Sequence, residues 1–208
     1  MPLYKTITPN SETEVKIWHI EESYDEFMAE VELKPESLER VLGMKSVLHQ
    51  RGFLSVRCLL KAFGYADTDL YYDDFGKPHL KDEKYISITH SFFFSAVIVS
   101  NSPVGIDIEK QREKIRVIAH KFIDYECDYL DPKAPDYVNK LTVIWCVKES
   151  LYKLFATPGL SFKAHCLVIP FMLEDKKTTA WIDYNRTKHK YQIQFLEFEG
   201  FTCAFTVP

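Results

Sequence analysis

Apolar residues recur along this chain in two rhythms, and each rhythm predicts a kind of element. Alternation, or an unbroken β-branched and aromatic run, marks strands at Val15–Ile20, Tyr85–Ser91, Phe92–Ser100, Cys166–Phe171, Thr178–Tyr184, Tyr191–Glu197 and Phe201–Val207. Helical spacing marks Ser23–Leu33, Pro35–Leu42, Arg112–Lys121 and Phe122–Leu130, with Pro35 as a start signal. Two helical segments are longer. From Lys45 to Phe63 the stripe runs through Leu48, Leu54, Leu59 and Phe63, weakened at Gly52 and stopped at Gly64. Tyr137–Phe155 carries the strongest stripe (Leu141, Ile144, Leu151), and Pro158-Gly159 closes it. Tyr71–Pro78 reads as a loop. Strands and helices in both parts of the chain give an α+β fold class.

A faint repeat runs through this pattern. Val56-Arg57 and Val147-Lys148 fall at matching places in the two long helices, and Leu60 and Leu151 follow at the same offset. Each helix leads into a loop and strands, and each half ends in an apolar strand. Two similar halves, 1–103 and 104–208, are the expected domains.

The stretch Gly105-Ile106-Asp107-Ile108-Glu109 follows an apolar strand. In an extended segment Asp107 and Glu109 point one way and the two isoleucines the other. Adjacent carboxylates repel unless a cation sits between them. The pair is therefore half of a hard-metal site or the solvated acidic face of an edge strand. Gly105 allows a close approach. Farther on, Trp145-Cys146-Val147-Lys148-Glu149-Ser150-Leu151-Tyr152-Lys153 lies in the long helix. Glu149 and Lys153 share a helix face with Trp145, as a surface ion pair or as part of a site. Taken together, Asp107, Glu109 and Glu149 form an all-oxygen set suited to Mg²⁺ or Mn²⁺, and Lys153 could neutralise a phosphate. Phosphoryl-type chemistry follows from that set. Arg51 and Arg57 read as surface charges, and His90, at a strand end, reads as structural or solvated.

Composition narrows the field. The chain has 208 residues, 46% hydrophobic and 27% charged, with a net charge of −4, so one large or two small domains are expected and a general nucleic-acid binder is not. Five cysteines without CxxC spacing read as free thiols in a reducing compartment. The longest apolar run, Phe92–Val99, is too short to span a bilayer, and no signal-peptide pattern opens the sequence. A soluble, cytoplasmic protein is expected. On that ground the glycosylation triplet Asn185-Arg186-Thr187 is set aside.

The two acidic motifs, at this spacing, resemble the paired signature of the Sfp-like 4′-phosphopantetheinyl transferases. Gly76-Lys77-Pro78 and Ile88-Thr89-His90-Ser91 resemble the family's coenzyme A-binding segments, and Arg51 resembles its basic residue before the N-terminal helix. Phe122-x-x-x-Glu126 and Gly159-Leu160-Ser161-Phe162 match flanking positions. Thr89 replaces the usual serine but keeps the hydroxyl; Cys146-Val147 and Ala156-Thr157-Pro158 also depart from the family pattern.

The resemblance implies two similar α+β halves with a coenzyme cleft between them. It implies transfer of 4′-phosphopantetheine from coenzyme A to a serine of an apo acyl or peptidyl carrier protein, releasing adenosine 3′,5′-bisphosphate. Asp107, Glu109 and Glu149 would hold Mg²⁺ on the pyrophosphate. Glu149 would take the serine proton, directly or through a metal-bound water, and Lys153 would hold a phosphate oxygen. Lys77, His90 and Arg51 would bind the 3′-phosphate, with Pro78 and Thr89 shaping the nucleotide pocket. Lys148 lies on a different helix face. A monomer with neither nucleic-acid nor membrane partners is expected. The rival functions are a metal-dependent phosphodiesterase or nuclease and a non-catalytic nucleotide-binding module.

Overall fold

Antiparallel pairing builds each sheet among the described residues. The computed structural model describes residues 3–208, and its contacts divide into two units between Pro103 and Val104. Both units mix helices with sheets.

The first unit contains β1 (Leu3–Asn10), β2 (Thr13–His19), α1 (Tyr24–Glu30), α2 (Pro35–Leu42), α3 (Val47–Ala62), β3 (Leu70–Tyr72), β4 (Pro78–Leu80), β5 (Tyr85–Ser91) and β6 (Phe94–Ser100). Its main sheet runs β1-β2-β6-β5, with β3 and β4 as a separate hairpin. The stripe of α3 packs on that sheet through Leu54, Leu59 and Leu60 against Trp18, Ile86 and Val97. Ser23 and Glu26 cap α1 reciprocally, satisfying two backbone donors. Gly64, at φ +87°, follows α3 and supplies the left-handed stop.

The second unit contains β7 (Ile106–Lys110), α4 (Ile115–Ile118), α5 (Tyr137–Phe155), α6 (Phe162–His165), β8 (Cys166–Val168), β9 (Lys177–Tyr184), β10 (Thr187–Phe198) and β11 (Phe201–Val207). The sheet order is β7-β11-β10-β9-β8. Leu141, Ile144, Val147 and Leu151 of α5 join Ile182, Ile193 and Ala204 in one core. Asn185 and Arg186, both at positive φ, close the β9–β10 hairpin in two residues, so the set-aside glycosylation triplet occupies a tight turn.

Three expectations are corrected. The helix expected over Arg112–Lys121 shrinks to the single turn of α4 and a 3₁₀ turn at Ala119–Lys121, and Phe122–Leu130 holds only a 3₁₀ turn at Tyr125–Asp128. Phe122, Ile123 and Leu130 are buried at helical spacing, yet the Glu126 carboxylate accepts from Asp124 N and Val168 N, taking up donors that no helix serves. The loop expected over Tyr71–Pro78 is confined to Asp73–Lys77; Tyr71, Tyr72 and Pro78 belong to a hairpin anchored by buried Leu70 and Leu80. Arg57 is not a surface charge; it is buried on Asp67 at 3.0 Å, with its guanidinium 3.5 Å from the Phe53 ring centre. Strand β1 escapes the apolar pattern because it is a largely exposed edge strand.

All five cysteines are free thiols, four of them buried and Cys127 exposed. Among the described residues no helix is long and apolar enough to cross a membrane.

Candidate active site

A glycine brings the two motifs together. A Cβ placed on Gly105 would lie 1.9 Å from Ser150 O, so the entry to β7 can lie on the α5 backbone only because residue 105 has no side chain. Gly105 N donates to Thr206 Oγ1 at 2.9 Å, and the Ser150 hydroxyl lies 2.9 Å from Ala204 O, tying helix, β7 and β11 into one layer. Gly105, Asp107 and Glu109 alternate onto the face toward α5, while Ile106 and Ile108 are fully buried on the other. Asp107 is only 5% exposed, which excludes the solvated-face reading for it.

On α5, Lys153 reaches back across this contact. Its ammonium donates to Asp107 Oδ1 at 2.8 Å and to Ile106 O at 3.0 Å. Glu149 lies one turn earlier. Burial pushes its carboxyl up to about 7, Asp107 adds to the rise, Lys153 opposes it, and Glu109 contributes a smaller repulsion. The three acids therefore sense one another, and a hard dication suits their oxygen donors. Among the described residues, however, no three His, Cys, Asp or Glu side chains stand ready-made around a metal position. Lys153 holds the place of a counter-charge at Asp107. Beside Glu109, a hollow of about 240 Å³ is lined by Arg112, Ile118, Thr142 and Trp145 among others.

Lys148 has a different role from its neighbour. It is fully buried, 2.8 Å from Glu126 Oε1, and donates to Phe122 O at 2.7 Å and Phe162 O at 3.2 Å. Burial pulls its ammonium down, and Glu126 pushes it back up. Phe122-x-x-x-Glu126 and Trp145-x-x-Lys148 mark the two partners in the sequence only through their resemblance to the family pattern.

The remaining candidates lie in the first unit. His90 ends β5 exposed, yet its ring lies 3.1 Å from where a Cβ on Gly52 would stand and 6.3 Å from the His49 ring. Gly52 is thus a contact rather than a weak point of α3. Thr89 is buried opposite Ala96. Arg51 donates to Glu22 O at 2.6 Å and Ile20 O at 2.9 Å, so at least two of its donors pin the β2–α1 connection. Lys77 and Pro78 close the β3–β4 turn, whose shape Asp73 sets by accepting from Phe75 N and Lys77 N. Partial burial lowers the Lys77 ammonium, against the pull of Asp73.

A family model described as the 4′-phosphopantetheinyl transferase superfamily matches residues 103–206, from the approach to Gly105 almost to the end of β11. The chain belongs to that superfamily. It is 30% identical over 137 residues to the 4′-phosphopantetheinyl transferase gsp of Aneurinibacillus migulanus, covering 64% of this chain and 55% of that protein. It is 32% identical over 107 residues to a 4′-phosphopantetheinyl transferase of Bacillus subtilis, covering 49% of this chain and 47% of the relative. The chain spans about half the length of the curated relatives it matches. The superfamily match takes in Asp107, Glu109, Glu149 and Lys153 together.

Proposed function

We propose that this protein transfers the 4′-phosphopantetheine group of coenzyme A to a serine hydroxyl of an apo acyl or peptidyl carrier protein. The observation that carries the proposal is the Gly105–Ser150 contact, which sets Asp107 and Glu109 against Glu149 and Lys153. Asp107 and Glu109 add to the cost of ionising half-buried Glu149, and acids grouped in this way are a poor structural device and a good cation site. Asp107, Glu109 and Glu149 would hold Mg²⁺; when bound, it offsets negative charge on the pyrophosphate and polarises the phosphorus.

The chain's own residues supply the rest. Lys153 turns from Asp107 to a phosphate oxygen once the charge of Asp107 is otherwise balanced. Glu149 takes the serine proton as the hydroxyl oxygen bonds to the β-phosphorus. The bond from that phosphorus to the bridging oxygen breaks, and adenosine 3′,5′-bisphosphate leaves with the electron pair. Arg51, Lys77 and His90 bind the 3′-phosphate end, and Pro78 and Thr89 shape the nucleotide pocket. The protein acts as a monomer of two similar halves.

Incubation with Mg²⁺, coenzyme A and an apo-carrier should add about 340 Da to the carrier, the mass of the transferred group. No gain on several carriers, together with cleavage of DNA or RNA, replaces this function with the phosphodiesterase one.

A further inference from the structure

The buried pair Lys148–Glu126 stands outside the acidic group, and its contacts give it a separate task. The ammonium of Lys148 binds the carbonyls of Phe122 and Phe162. Those two residues also pack edge to face on Trp145, with ring centres 5.1 and 5.6 Å from the indole. Glu126 is anchored in turn by Val168 N at 2.8 Å. One cation thus fastens the turn at Phe122 and the first residue of α6 to α5 at the level of Trp145. Trp145 itself is partly exposed, because its remaining surface lines the hollow beside Glu109.

A core that needed only packing could carry an apolar chain at 148. Burying two charges is costly, and such a pair is often no more stabilising than apolar residues of the same volume. What an apolar chain cannot do is bind two carbonyls at once and so fix the segments that bear them.

We propose that Lys148 and Glu126 are positioning residues: they fix the Phe122 and Phe162 segments so that Trp145 stands as the wall of the hollow beside Glu109. The effect on turnover rests on the transferase function proposed above; the effect on Trp145 does not.

The chain has three tryptophans, so a Trp18→Phe, Trp181→Phe background lets acrylamide quenching read Trp145 alone. Two double variants are compared in it. Lys148→Met with Glu126→Gln keeps volume and removes both charges. Lys148→Arg with Glu126→Asp keeps both charges and the combined length. The neutral pair should raise the quenching constant at least twofold and lower kcat/KM for carrier modification at least tenfold, with an unchanged far-UV spectrum. The charged pair should return both to within threefold of the parent. Unchanged quenching in the neutral pair overturns the proposal, as does a charged pair no better than the neutral one. Should the neutral pair fail to fold, Glu126→Asp alone shortens the link and is judged by the same quenching criterion. A parent chain that modifies no carrier overturns the transferase function and leaves quenching to decide the positioning.

Discussion

The long helices of the two units handle charge alike at one place and differently at the next. Arg57 on α3 and Lys148 on α5 are both buried, and each closes on an acid in a 3₁₀ turn, Asp67 at 3.0 Å and Glu126 at 2.8 Å. Each acid also accepts from a distant backbone amide, Lys34 N or Val168 N. The following residues diverge. Glu149 comes after Lys148, whereas Cys58, a buried thiol pushed up to about 12, comes after Arg57. The strands diverge too. Asp107 pairs with Ala204, the fourth residue of β11, and Glu109 with Thr202; in the first unit Lys16 pairs with Val97, the fourth residue of β6, and Trp18 with Ser95. Lys16 is spent locally, on Glu14 and 4.4 Å from the Phe63 ring centre. A long helix on an antiparallel sheet is therefore stable without acids at these places. Their presence in the second unit points to a ligand rather than to folding.

The sharpest break of this comparison is chemical. Asp107→Ala should lower carrier modification roughly a thousandfold, as loss of a key electrostatic group does, while Lys16→Ala should leave it within about threefold, an estimate that assumes Lys16 touches no reacting group. Mass spectrometry of the carrier reads both; equal effects would remove the asymmetry. The next test is thermodynamic. Lys148→Met and Arg57→Met should each cost about 3–5 kcal/mol in urea unfolding, because each strands a buried acid, and neutralising the partner as well should recover most of the loss. Gly105→Ala should cost about 1–3 kcal/mol, since the added methyl meets a backbone carbonyl that cannot swing aside.

The smallest effect concerns pH. The Glu149 carboxyl sits at about 7 in the fold against 4.5 for an unperturbed glutamate, so folding favours its protonated form. That contribution is fully present below pH 4.5 and is lost as pH rises through 7. With EDTA present, stability should fall by about 1–2 kcal/mol between pH 5 and 8, partial exposure of Glu149 reducing the full linkage value. Glu149→Gln should flatten that slope. A wild-type chain with no slope would contradict the burial of Glu149 beside Asp107.

Much of the scaffold was legible in the sequence because its signals are local. The bounds of α2, α5, β5 and β11 fall where the apolar periodicity puts them. The failures share one cause: a partner distant in sequence. Helical spacing in Phe122–Leu130 reflects anchoring side chains, and what keeps that stretch from coiling is a bond from Glu126 to β8, 42 residues away. Arg57 looked like a surface charge because nothing near it names Asp67. For the candidate site, the alternation of Gly105–Glu109 and the four-residue step from Glu149 to Lys153 were readable. The engagement of Lys153 with Asp107 was not, since pairing between motifs depends on how β7 meets α5.

The thiols carry a practical consequence. Burial pushes Cys58 and Cys166 up, to about 12 and about 11, and Cys146 and Cys203 well above the ordinary thiol range. At neutral pH these four are protonated and shielded, so a maleimide should label the native chain once, at exposed Cys127. That residue adjoins Glu126 in the chain. A dye placed there would sit beside the Lys148 anchor, giving the protein a built-in attachment point for following that region by fluorescence without any engineered cysteine.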